Sequence, residues 1–373
     1  MYIDMKPIDL LIPELFATDG GIQRYSLTLI RALRVIRPST SLRVFIQNDF
    51  PHHVPSSGWP GIAWFPAQCS RKRLLQSLVL SAFQRRPQLL LSTHPNFAPI
   101  QYLHHIFTGS PSWCSAHGIE VWQLQHGLKR LALAHLQRLL PVSRFTASQL
   151  QLQLGDACPP LGLLFNSFDQ RRFFPDRPPI ELLQRYNLRI GQPVIFTLSR
   201  LSKDDSYKNI DKLIEAMPEL LAEFPDLILI IAGAGNDQSR LKCLTKQLGL
   251  SRHVNFVGRI SEGELPDHHR LASVFALPST GEGFGIVFLE ALGCGKPVLA
   301  GNCDGSADPL ADGRFGLLVD PRLPLAAPLA TLLRHEGNSL WFQSEALSQE
   351  VNKAFGFDAF CDCLDVQLGA IGR

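Results

Sequence analysis

The chain has 373 residues, 45% hydrophobic and 18% charged, enough to bury the cores of two domains of ordinary size. No apolar run reaches the roughly 18 to 20 residues that span a bilayer, and the opening MYIDMKPIDLLIPELF lacks the basic-then-apolar layout of a secretory signal. A cytoplasmic protein is therefore expected. The eight cysteines form no C-x-x-C pair, and no histidine lies near Cys361 and Cys363, so reduced thiols and no metal are expected.

In chain order, the first half offers IDLLIPEL (8–15), SLRVFIQ (41–47), QLLLSTH (88–94) and RLLPVS (138–143) as candidate strands, with IQRYSLTLIRALRVI (22–36) as the first helix. The net charge of +3 conceals an asymmetry, because residues 1–175 hold 17 basic and 8 acidic groups while residues 176–373 hold 19 and 25. No acidic residue lies between Asp49 and Glu120, and Arg71, Lys72, Arg73, Arg85 and Arg86 bracket the apolar LLQSLVLSAFQ. That segment reads as an ordinary helix with its apolar side in the core. It also reads as an interfacial helix in peripheral contact with the anionic inner face of a membrane. Nucleic acid is not an expected partner, since aromatics are not interleaved with these cations.

Around 168–190 the Pro-rich and polar FFPDRPPIELLQRYNLRIGQP predicts a hinge. Beyond it, short apolar runs alternate with helical patterns: VIFTLS (194–199), LILIIAG (227–233), VNFVG (254–258), SVFALPS (273–279), KPVLAG (296–301) and GLLVD (316–320). Runs apolar throughout imply strands covered on both faces, hence an α/β fold with a parallel, doubly wound sheet. The first half predicts a second Rossmann-like layer. The expected domains are 1–170 and 171–354, with a helix over 355–373 crossing back onto the first.

In open α/β sheets, ligands bind beyond the carboxyl ends of the strands. At 273–295 a strand meets TGEGFG and then the helix IVFLEALGCG. Gly281, Gly283 and Gly285 let the backbone approach a ligand, and the amides of Phe284, Gly285 and Ile286 would face an anion such as a diphosphate. Glu282 and Glu290, eight positions apart, fall at two points along one pocket. Carboxylates accept vicinal hydroxyls well, so Glu282 is assigned to sugar hydroxyls and Glu290 to a ribose diol. The loop in TLSRLSKDDSYKNIDKLIEAM brings Arg200, Lys203 and Lys208 to another strand end, where cations would stabilise a pyrophosphate leaving group without a metal.

These segments resemble glycosyltransferase family 4, retaining enzymes of the GT-B fold, whose pattern includes an E-x7-E pair, here Glu282 and Glu290, and an Arg…Lys pair, here Arg200 and Lys208. The likeness extends through IAGAGNDQSRLKCLTKQLGL, VNFVGRISEGELPDHHRLASVFALPS and DGSADPLADGRFGLLVDP, covering about half the chain. In the first half, DGGIQRYSLTLIRAL resembles the family's glycine loop, placing Gly20 and Gly21 near the donor phosphates. AHGIEVW resembles the segment whose histidine reaches the active site, which nominates His117 over His126, and Asn166 is a further cleft candidate.

The resemblance implies two Rossmann-like domains facing a central cleft, an acceptor-binding first domain and a nucleotide-sugar-binding second. It implies metal-independent, retaining transfer of a hexose from a donor of the UDP-glucose or GDP-mannose class to a glycan or lipid-linked acceptor. Glu282, His117, Arg200 and Lys208 would be catalytic, with no cofactor. The alternatives are a GT-B sugar-nucleotide epimerase and an inactive nucleotide-sugar-binding assembly component; intact Glu282, Glu290, Arg200 and Lys208 argue against decay.

Overall fold

The computed structural model describes residues 6–18, 20–55, 57 and 59–369. The chain divides into two compact units, one formed by the described residues through Ser167 and from Asp358 on, the other by Phe168–Phe357.

The first unit holds six parallel strands, β1 (Ile8–Ile12), β2 (Leu42–Ile46), β3 (Ile62–Pro66), β4 (Leu89–Ser92), β5 (Ser112–Ala116) and β6 (Arg138–Pro141), in the order β3-β2-β1-β4-β5-β6. Four of them are the apolar runs of the sequence. β3 and β5 are not among those runs, for different reasons. β3 pairs only with β2 and is half exposed; its residues IAWFP are apolar throughout, but the run is short and ends in a proline, which a sheet accepts at its edge. β5 is fully buried but reads SWCSA. Its polar groups are satisfied from neighbouring elements: Ser115 Oγ and Tyr25 Oη lie 2.7 Å apart, and Ser112 Oγ donates to the Gln101 carbonyl at 3.3 Å.

Two further contacts lock this unit. Arg43 on β2 donates through Nε and a second nitrogen to Asp9 on β1 at 2.6 and 2.8 Å, and through its third nitrogen to the Ser81 carbonyl of the Arg71–Gln84 helix at 2.6 Å. Burial pushes the Asp9 carboxyl up to about 6 even though the guanidinium opposes the shift. The Phe357–Leu368 helix packs here as well, its Phe360 ring 6.0 Å from Tyr25 and its Asp365 2.6 Å from Arg37.

In the second unit the strands are β7 (Val194–Leu198), β8 (Ile228–Ala232), β9 (Val254–Gly258), β10 (Val274–Leu277), β11 (Val298–Gly301) and β12 (Leu317–Val319), all parallel and ordered β12-β11-β10-β7-β8-β9. All six match the apolar runs: the four inner strands are buried and favour apolar side chains, and the edge strands β9 and β12 are half-buried. Reversed in direction, this order repeats that of the first sheet. Each unit is thus a Rossmann-like, doubly wound layer with one point where the strand order turns back, at β1/β4 and at β7/β10.

Candidate active site

At the β7/β10 switch point, successive strands leave in opposite directions, so the loops after β7 and β10 open a crevice at their carboxyl ends. The β7 loop runs to Asn209, whose left-handed backbone (φ 54°) turns the chain into the Ile210–Glu223 helix. Two bonds tie this loop to the segment after β10: Thr280 N–H donates to the Tyr207 carbonyl at 2.9 Å, and Asn209 Nδ2 donates to the Pro278 carbonyl at 2.7 Å. Gly281 passes under the Tyr207 ring, where a Cβ would come within 2.7 Å of Cδ2.

This lacing brings together two residues 74 positions apart, for Lys208 Nζ lies 2.6 Å from Glu282 Oε1 with both side chains about 15% exposed. Burial disfavours the Lys208 charge. The Glu282 carboxylate and the Tyr207 hydroxyl outweigh that effect, so the ammonium is held above the ordinary lysine range. Burial likewise pushes the Tyr207 hydroxyl up to about 12.

The Glu282 backbone is clamped from a third loop. Asp304, after β11, accepts the Glu282 N–H at 2.6 Å through one carboxylate oxygen and the Ser306 N–H at 2.9 Å through the other. Gly305 N–H then donates to the Glu282 carbonyl at 2.8 Å. A Cβ on Gly305 would fall 2.2 Å from the Gly283 carbonyl oxygen, so the two loops touch backbone to backbone. Asp304 is 4% exposed, and burial raises its carboxyl to about 6 although both backbone amides pull it down. The sequence segment DGSADPLADGRFGLLVDP contains this clamp without displaying it. The available signal is an acid at a strand's carboxyl end followed by Gly, which marks a turn but not the loop it grips.

Beyond Glu282 the chain enters the Ile286–Gly293 helix through Gly283, Phe284 and Gly285. Gly285 adopts φ 88°, and a side chain there would meet the Phe288 ring at 2.4 Å. The Phe284 side chain is 2% exposed and packs on Phe355 at 6.0 Å between ring centres, so its backbone is the part available to a ligand. The helix start and the Lys208 ammonium make the carboxyl edge of this sheet a place suited to an anion.

The remaining second-unit candidates are placed differently. Arg200 is 76% exposed on its side chain and donates to the buried Asp205 at 3.0 Å. Lys203 is exposed. Glu290 is 2% exposed, with Oε2 3.7 Å from Nε2 of the buried His269. That histidine is itself ringed by Phe173, Phe196 and Phe275.

Within the first unit, Gly20 caps and Gly21 opens the Gly21–Ile36 helix that follows β1, and the Arg24 N–H closes onto the Gly20 carbonyl at 3.0 Å. His117 follows β5, its Nε2 2.9 Å from the Thr93 carbonyl at the end of β4. A carbonyl only accepts, so Nε2 carries the proton and Nδ1 is the acceptor of the neutral ring. Burial holds the imidazole below the ordinary histidine range, against the pull of Glu120. Tyr25 packs edge-on at 4.7 Å, and the Glu120 carboxylate accepts the N–H groups of His117 and Gly118 at 2.5 and 3.1 Å. By contrast His126 is exposed and bonded to Arg130 at 2.9 Å. Asn166 is buried at 6% exposure near the end of this unit.

Residues 181–339 match the family Glycosyl transferases group 1. Over 218 residues the chain is 37% identical to a GDP-mannose-dependent alpha-(1-6)-phosphatidylinositol monomannoside mannosyltransferase of Mycolicibacterium smegmatis, covering 55% of this chain and 56% of that protein. A monoacylated-substrate counterpart from Corynebacterium glutamicum is 32% identical over 219 residues, 55% of this chain and 56% of that one. The chain thus spans about half the length of the curated relatives it matches. Among solved structures, a sucrose-phosphate synthase from Thermosynechococcus elongatus superposes with a TM-score of 0.79 at 19% identity, covering 98% of this chain and all of that one. Anabaena HepE in complex with UDP gives 0.76 at 19% identity, over 98% and 100% of the two chains. At such identity the structures speak for the GT-B fold alone.

Proposed function

We propose that the chain, whose residues 181–339 match the glycosyl transferases group 1 family, is a retaining, metal-independent hexosyltransferase. GDP-mannose is its first-choice donor, and a hydroxyl of a lipid-linked saccharide its acceptor. The observation that carries this reading is the half-buried Lys208–Glu282 pair beside the glycine loop that opens the Ile286–Gly293 helix. The donor's phosphates sit at that helix start, near Lys208 and Arg200, while Glu282 accepts sugar hydroxyls and Glu290 the ribose diol. The bond from the sugar's anomeric carbon to the diphosphate breaks, and the acceptor oxygen bonds to that carbon on the same face. The acceptor's proton passes to the departing phosphate oxygen. Lys208, Arg200 and the helix amides stabilise the charge that develops on the diphosphate, the work a divalent cation does elsewhere. In the first unit, Gly20 and Gly21 are the candidates for phosphate contact and His117, through its Nδ1, the candidate for orienting a sugar or acceptor hydroxyl. The first unit supplies the acceptor side and the second holds the donor.

The GDP-mannose relatives favour that donor over UDP-glucose. The test is GDP release from GDP-mannose by the full chain in the presence of a lipid-linked mannoside and a chelator. Turnover is expected to require the acceptor and to survive chelation, and Glu282→Ala and Lys208→Ala should each lose on the order of a hundredfold or more while far-UV circular dichroism stays native. Unchanged rates in both variants would overturn the site, and activity abolished by the chelator would overturn metal independence.

A further inference from the structure

On one face of the first sheet, three helices lie in sequence order: Arg71–Gln84, Ala98–Thr108 and Leu128–Ala134. The first two share a buried cluster in which Leu74 and Leu78 meet Leu11, Phe45 and Leu90, with Ile100 packed against it. The third joins the second through Ala132, Leu133 and Tyr102. Having used these residues to cover the sheet, the helices still present large apolar side chains outward. Phe83 is 86% exposed and Leu80 63% on the first helix, Phe107 82% and Ile106 56% on the second, and Leu128 63% and Leu131 52% on the third. Single exposed aliphatics are ordinary; two nearly bare phenylalanines among aliphatics on adjoining helices are not.

Charge shows what covers this face. Between Asp49 and Asp156 the sequence holds nine Lys and Arg and a single acid, Glu120. That acid is engaged with the backbone amides of His117 and Gly118. Arg71, Lys72 and Arg73 open the first helix and Arg85 and Arg86 follow it, while Lys129 and Arg130 lie on the third. A second copy of this chain would set like charge against like charge. An apolar interior faced with anionic headgroups complements both features. No helix among the described residues is long and apolar enough to cross a membrane, so the complement lies in the interface plane.

We propose that this three-helix face, with Phe83 and Phe107 at its tips, docks on an anionic lipid surface. It enlarges the two-sided reading of residues 71–86: Leu74 and Leu78 do serve the core, and the opposite side of the same helix belongs to a surface spread over two more helices. The aromatic tips enter the acyl boundary while the flanking cations meet the headgroups, each cation near the surface contributing about fivefold in partition.

Co-sedimentation of the full chain with vesicles of phosphatidylcholine alone, or mixed with phosphatidylglycerol, tests this without any sugar substrate, so its failure leaves the transferase reading intact. Binding is expected only to the mixed vesicles and should weaken as salt rises. Phe83→Ser with Phe107→Ser should reduce it by about tenfold or more, and Arg71→Gln with Lys72→Gln by a similar factor, with melting temperatures unchanged because all four side chains are exposed. Absence of binding to the anionic vesicles at about 0.15 M salt would overturn the proposal. So would unaltered binding by the double Phe variant, or a concentration-dependent dimer that the same variant dissolves.

Discussion

At the scale of single residues, Asp304 separates stability from function. Its carboxyl is held near 6 against an ordinary value of 3.8. Between those values the folded chain binds the proton more tightly than the unfolded chain. Its contribution to stability is therefore fully present below the unfolded value and is lost as pH rises through about 6. The clamp needs the opposite state, because only the ionised carboxylate offers both oxygens to the Glu282 and Ser306 amides with full charge. Turnover should therefore rise through about pH 6 as this group's share of stability falls. Asp304→Asn turns an amide NH2 toward one of the two donors, at a cost of about 1–3 kcal/mol. Its pH–rate profile should lack the step near 6 seen in the unmodified chain. A step retained at the same pH in the variant would assign it to another group. Lys208 and Glu282 are legible in sequence by their spacing and residue type, but Asp304 is not, since its role depends on a loop that only the β11 turn brings within reach.

Among the elements, the loops after β7, β10 and β11 act as one unit because they touch through backbone atoms. Gly305 is one of the tight contacts, its hydrogen taking the place where a Cβ would overlap the Gly283 carbonyl. Gly305→Ala should displace the Glu282 loop, costing about 1–3 kcal/mol in stability by overpacking. The drop in turnover should exceed what partial unfolding explains, measured as kcat at a temperature where the variant remains folded. Unchanged kcat would show that the loop tolerates the shift. Strand recognition followed the same division between pattern and packing. The second unit's inner strands are visible as apolar runs since both sheet faces are covered. β5 escapes that criterion because its serines are satisfied by Tyr25 and Gln101, whereas β3 meets it in a short stretch closed by the proline of an edge strand.

For the whole molecule, two units with separate cores and separate sheets should unfold as two transitions rather than one. A nucleotide bound by the second unit should stabilise it by about 2.7 kcal/mol at a hundredfold excess over its dissociation constant. Calorimetry with GDP should move that unit's transition more than the other, and UDP should move it less. Displacement of both transitions together would mean that the units unfold as one.

What the sequence determined by itself is whatever local pattern encodes: apolar runs for strands buried on both faces, glycines and acids at the start of a helix, and a first half rich in cations. Tertiary structure alone decided which of these meet. Lys208 and Glu282 become a pair only because the β7/β10 reversal lays their loops side by side, and Asp304 joins them from a third strand. The outward Phe83 and Phe107 share a face only because their helices pack on the same side of one sheet. The physical reason is common to all three. A residue's type and spacing fix what it can bond to nearby, whereas its distant partners are set by strand order and burial, which are properties of the folded chain.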